Sequence, residues 1–233
     1  MIEARAPAAL ALTTDRQTEP VRHVLTDQPC FSFELFGVPQ PAQHHPEVDT
    51  SLHILLVVDY AAAHNHPLTV RFAALTHDLG KAVTPREHWP KHHGHEHKSV
   101  DLVERLCERL RVPGDCRDLA LLTARYHGDV HRAKELRPAT VLKMLAAADV
   151  YRRPTRFEEL LAACSCDYHG RTGLENRTYP QADLLRASAA AAKAVDAGGI
   201  AQNMDGDPGH IAAAIEAARL EAVSQALSEL RQR

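Results

Sequence analysis

The chain lacks any apolar run approaching the length of about 20 residues that a membrane-crossing helix needs, and it lacks a basic surplus. With 27 Lys and Arg against 30 Asp and Glu, the formal net charge is -3. Holding nucleic acid chiefly through a general positive field takes an excess of cations over anions, so that function class is excluded and a small anionic substrate fits better. A secretory leader is not expected, because Glu3 sits where such a leader would be basic and Pro7 interrupts the short apolar stretch Ala6 to Leu12. The cytoplasm is the expected location. The five cysteines, Cys30, Cys107, Cys116, Cys164 and Cys166, form no CxxC pair and leave an odd thiol, which suits a reducing compartment. Cys164 and Cys166 are read as packing residues.

Aromatics are only 5 % of the 233 residues, and nothing reads as a sheet. What is present is Ala-rich, with breakers mostly at the junctions between periodic segments, which points to an all-α protein large enough to bury a full core. Residues 1–34 show no sustained period and carry Pro7, Pro20 and Pro29, so they read as a loosely docked leader. Asp49-Thr50-Ser51 offers an N-cap to a helix running toward His64. Leu68 to Leu79 forms a second helix, closed by Gly80 in the left-handed conformation. Thr84 to His97 is a polar, His-rich loop long enough to wall a pocket. Further helices are expected over His97 to Leu110, Gly114 to His127, Pro138 to Val150, Phe157 to Cys166, Gln181 to Ala197 and Pro208 to Leu230. A main domain over residues 35–175 and a C-terminal helical extension over 176–233 follow from that division.

The chemistry is concentrated around the adjacent pair His77-Asp78, which offers one nitrogen and one oxygen ligand from the same helix end. A divalent ion needs three to six ligands, so the pair matters only if other helices supply more. In chain order the candidates are His53, His77, Asp78, His95, His127 and Asp149. His53, His77, Asp78 and Asp149 make a mixed site for one ion, and His95 with His127 complete a second that shares Asp78 as a bridge; one ion or two remain open. Lys81, just past the pair, is a cation within reach of a phosphate held there. A bound ion brings the pKa of its water down toward about 7 and offsets phosphoryl charge, so such a site suits phosphate ester hydrolysis.

Most of the 16 histidines carry no such argument. His23, His44, His45, His64, His66, His88, His131 and His210 are read as structural or solvated, and His92, His93 and His97 crowd the choice of His95. Asp149 taken alone is as well read as a helix-end residue, Lys81 as a solvated lysine and Arg171 as a loop cation.

The ordered residues His53, His77-Asp78 and Asp149 resemble the metal signature of the HD phosphohydrolase superfamily. More narrowly, the segments Leu35 to His53, Thr76 to Lys81 (THDLGK), Glu87 to Ser99, Leu110 to Pro113 and Gly170 to Gly173 (GRTG) are similar to the C-terminal HD domain of bacterial bifunctional CCA-adding enzymes. The resemblance implies an all-helical HD fold with metal-dependent 2',3'-cyclic phosphodiesterase, 2'-nucleotidase and phosphatase activity. It implies nickel or magnesium as cofactor, with manganese, cobalt or ferrous iron as further candidates, and Lys81 and Arg171 as candidates for phosphate contact. The substrate is then a small nucleotide or an RNA-end phosphate, and tRNA or a separate nucleotidyltransferase is the candidate partner. Residues 1–34 do not match the family's nucleotidyltransferase head, so CCA addition is not expected from this sequence by itself. The alternatives are a nucleotide 5'-phosphohydrolase and a non-catalytic accessory module.

Overall fold

The computed structural model describes residues 35–204 and 207–231; the leader and Cys30 lie outside the described residues. The helices are α1 (Thr50–Ala63), α2 (Leu68–Thr76), α3 (His95–Leu110), α4 (Gly114–His131), α5 (Pro138–Ala147), α6 (Pro154–His169), α7 (Pro180–Ala194), α8 (Ala197–Asn203) and α9 (Pro208–Arg231). Among the described residues there is no strand, only an isolated antiparallel bridge between Pro39 and Asp49. No described helix is long and apolar enough to cross a membrane.

α1 starts where its cap predicts. The Asp49 carboxylate accepts from Leu52 N at 3.0 Å, and its second oxygen accepts from Gly37 N at 2.6 Å, tying the preceding loop to the helix start. α4 packs against α2 and α3, while α6 crosses α1, α2 and α4, so these five helices surround the centre of the molecule. Val57, Val70, Leu119, Leu145, Leu160 and Leu185 are buried there. α9 lies along α5 and α7, and its Val223 and Leu227 join the same core. Cys164 and Cys166 are buried thiols within it, as the packing reading expects.

Several helix bounds differ from the sequence reading. α2 ends at Thr76, and the chain tightens into a 3-10 turn over Leu79–Val83. Gly80 does not have the left-handed conformation expected of it. It is required instead for close approach: a Cβ there would lie 2.1 Å from His95 O and 2.5 Å from Ser99 N, and Gly80 N donates to Ser99 Oγ at 2.8 Å. α3 begins at His95, two residues early, and α4 runs on to His131. α5 stops at Ala147 because Asp149 takes φ +54°, a left-handed turn that a helix cannot continue through. Pro154 opens α6 rather than breaking it, since proline's fixed φ and missing N–H suit a first helical position.

Candidate metal centre

The 3-10 turn after α2 swings Asp78 and Lys81 inward, so both side chains are buried beside His77. Around them stand His53 from α1, His95 from α3, His127 and His131 from α4, and Asp167 from the last turn of α6. Asp78 Oδ1 lies 3.2 Å from His95 Nε2 and 3.4 Å from His127 Nε2, and Asp78 Oδ2 lies 3.2 Å from His77 Nε2 and 2.6 Å from Lys81 Nζ. Asp167 Oδ1 is 3.0 Å from His53 Nε2 and accepts from Arg171 Nη2 at 3.0 Å, while Oδ2 bonds His131 Nε2 and approaches His77 Nε2 at 3.7 Å. Two carboxylates thus face His77 from opposite sides.

The hydrogen bonds decide which imidazole nitrogen points inward. His77 Nδ1 meets Ala74 O at 2.8 Å, His95 Nδ1 meets His92 O at 3.0 Å, and His127 Nδ1 meets Thr123 O at 3.1 Å. A carbonyl only accepts, so each Nδ1 must donate. In the neutral rings the three Nε2 atoms therefore carry lone pairs, all directed at carboxylate oxygens that also only accept. His95 Nε2 and His127 Nε2 are 3.3 Å apart, and His77 Nε2 and Asp78 Oδ1 are buried without a hydrogen-bond partner. Acceptors converging on one volume with no donor between them need a cation there. The ligand atoms of His77, Asp78 and His127 lie within 4.8 Å of one another, as do those of His53, His77 and Asp167. The donor set of imidazoles and carboxylates fits a divalent ion.

Electrostatics keep these groups in ligating form. Burial pushes the Asp78 carboxyl up, but Lys81 and His77 outweigh it and hold it well below the usual range. For Asp167 burial is likewise opposed, by Arg171, His131 and His77, and the carboxyl again sits well below its ordinary value. Burial lowers His127 against the pull of Asp78 and lowers His131 to about 4, so both are neutral near pH 7. His77 is buried too, yet Asp78 and Asp167 overcome that and raise it, so a proton is drawn to the volume when no metal is there.

Asp149 is a correction. Its carboxylate pairs with Arg152 at 2.9 Å and Arg153 at 3.7 Å and belongs to none of the ligand clusters, because the left-handed turn that ends α5 directs it to those arginines. Asp167 stands where Asp149 was expected. His45 and His131 also depart from their bland reading. His45 is buried edge-on against His53, with ring centroids 4.6 Å apart, and shares Glu47 with it; Glu47 Oε1 lies 2.9 Å from His53 Nδ1. His131 bridges Asp167 and the Tyr179 hydroxyl, the latter at 2.8 Å. Because Asp167 only accepts, neutral His131 donates from Nε2; its Nδ1 then accepts, and Tyr179 is the donor. His92 is buried but structural, held by Thr84 and by Pro39 O at 2.7 Å, while His93 and His97 are exposed.

Two sequence signals pointed to the missed residues. His127 and His131 are four apart and share one face of α4. Asp167 follows Leu160, Ala163 and Cys164 on the apolar stripe of α6, where a carboxylate is out of place unless paired.

Arg171 reaches Asp167 because α6 ends tightly against α1. A Cβ on Gly170 would lie 2.6 Å from Val57 Cα, so only glycine permits that approach. Its guanidinium is largely buried, 13 % exposed, and Nε has no partner.

Residues 50–153 match the HD domain family, a family of metal-dependent phosphohydrolases, and the all-helical arrangement with its His-Asp centre agrees with that match. The chain is 60 % identical over 184 residues to the Multifunctional CCA protein of Nitrosospira multiformis, covering 78 % of this chain and 45 % of that protein. It is 55 % identical over 193 residues to that of Burkholderia pseudomallei and 54 % over 195 residues to that of Paraburkholderia phymatum, with 83 % and 84 % of this chain and 47 % of each relative covered. The chain spans about half the length of these curated relatives. No solved structure matches it significantly.

Proposed function

We propose that the chain is a phosphoester hydrolase acting on 2',3'-cyclic nucleotides, 2'-nucleotides or phosphates at RNA ends. The observation that carries this is the buried convergence of His53, His77, Asp78 and Asp167 in overlapping clusters, in which His77 Nε2 and Asp78 Oδ1 are acceptors without donors. His53, His77, Asp78 and Asp167 would hold one ion, and His95 and His127 together with Asp78 would hold a second. Nickel and magnesium are the first candidates. Such an ion supplies a water of lowered pKa and offsets charge on the phosphoryl oxygens.

The chain's own residues do the rest. Lys81 donates to Asp78 and to Gln40 Oε1, which keeps its ammonium at the rim of the ligand set, where a phosphate oxygen is stabilised as charge develops. Arg171 holds Asp167 with Nη2 and presents the rest of its fork to a phosphate. Glu47 takes the Nδ1 proton of His53 and so frees Nε2 for ligation. The relatives' printed name, Multifunctional CCA protein, supports an RNA-end substrate and a tRNA or nucleotidyltransferase partner.

The test is a metal-by-substrate series on chelated and reconstituted full chain. With nickel or magnesium it opens 2',3'-cyclic AMP and releases phosphate from 2'-AMP faster than from 5'-AMP, and Asp78→Ala abolishes both. Activity confined to 5'-nucleotides would instead make the chain a 5'-phosphohydrolase, and full activity in Asp78→Ala would remove the metal centre from the reaction.

A further inference from the structure

Away from the metal centre, α5 and α9 leave a cleft of about 560 Å³ between them. Small-molecule sites fall in the range of roughly 300–1,000 Å³. Leu142 and Leu220 give it an apolar lining, and Lys143, Tyr151, Glu216 and Arg219 supply the polar groups. The Arg219 guanidinium lies over the Tyr151 ring, 3.8 Å from its centroid, so its plane is fixed before anything binds. Its Nε and the Tyr151 hydroxyl are buried without a hydrogen-bond partner.

Several other arginines of this molecule pair with carboxylates. Arg132 pairs with Asp129, Arg152 with Asp149, and Arg186 with Glu158 and Asp183. Glu216 is three residues from Arg219, a spacing at which helical ion pairs form, yet Arg219, Lys143 and Glu216 take part in no ion pair or hydrogen bond among the described residues. A guanidinium oriented by stacking, with no internal anion and a second cation beside it, matches a phosphate group.

We infer that this cleft binds a nucleoside monophosphate. The phosphate lies on the Arg219 fork and Lys143, the base covers Leu142 and Leu220, and Glu216 accepts from a ribose hydroxyl or an exocyclic amine. Free phosphate would leave most of the volume and all the apolar lining unused. None of the metal-centre residues lines the cleft, so the inference stands apart from the hydrolytic reading and is tested without metal.

The experiment is calorimetric titration of AMP, adenosine and inorganic phosphate into chelator-treated full chain. AMP binds saturably at one site, and adenosine and phosphate each bind at least ~10-fold more weakly, as expected for loss of a charge-assisted contact or of the apolar one. Arg219→Gln weakens AMP binding at least ~10-fold and Lys143→Gln about 3-fold. Lys143 is exposed, so if Arg219→Gln fails to fold by circular dichroism, the charge reversal Lys143→Glu decides, with at least ~10-fold loss expected. The inference is overturned if wild type shows no saturable AMP binding, if phosphate matches AMP, or if Lys143→Glu binds AMP like wild type.

Discussion

Exchanging each of two aspartates for asparagine separates the site described here from the one the sequence order suggests. Asp167→Asn keeps the side-chain volume but removes the charge that His53, His131 and Arg171 share. Arg171 is then left as a buried cation without its counter-ion, and breaking a buried pair in this way costs about 3–5 kcal/mol. Metal binding suffers more. Loss of an outer-shell partner alone typically costs about 10–100-fold in affinity, so loss of a ligand oxygen should reach at least the upper end of that range. Asp149→Asn is the contrast, since its carboxylate meets only the exposed Arg152 and Arg153, and asparagine tolerates the left-handed φ of +54°. Its melting temperature and metal content should match wild type. The assay is metal titration by calorimetry on chelated protein, with thermal melts of the same samples. An Asp149→Asn protein that loses metal while Asp167→Asn retains it would refute the geometry.

The Tyr179→Phe variant removes the donor to His131 Nδ1, so imidazole nitrogen NMR should report loss of the single Nε2–H tautomer and metal affinity should fall by about 10-fold; an unchanged tautomer would show that Tyr179 does not set it. Stability of the metal-free protein, measured by denaturant titration, should fall as pH drops from about 6.5 toward 4. His131 is lowered from 6.5 to about 4 in the fold and His45 to about 3, so the unfolded chain binds protons in that window that the folded one refuses. The loss from His131 is of order 3 kcal/mol, and flat stability across the window would contradict this burial. Gly170→Ala should lower stability by about 1–3 kcal/mol through overpacking on Val57, detectable as a lower melting temperature, and unchanged melting would mean that α6 need not end so close to α1.

The all-helical class and most helix positions were legible because caps, prolines and the apolar period act locally, as at Asp49 and Pro138. The failures came where tertiary contact overrides local preference. Gly80 reads as a left-handed helix stop, but its lack of a side chain serves the approach of α3. Asp149 lies at a helix end next to two arginines, and sequence order does not reveal that a left-handed turn gives its carboxylate to them. Asp167 was hidden for the opposite reason: it lies inside a helix whose neighbours read as plain core.

The centre needs both charge signs buried together, and this explains why its outer members were hardest to find. Asp78 and Asp167 are isolated from water, and each is held ionised by a cation on its own segment, Lys81 three residues on and Arg171 four residues on. Those local pairs make the carboxylates tolerable before any metal arrives. Lys81 meets Oδ2 of Asp78, and Oδ1 of Asp78 and Nε2 of His77 are left without donors. The partners that orient the surrounding imidazoles, Glu47 for His53 and Tyr179 for His131, come from outside those helices and carry no spacing rule relative to them. A sequence pattern can therefore reveal the ligand pair that shares a helix end, while the groups that set tautomers depend on how α1, α4, α6 and the start of α7 meet.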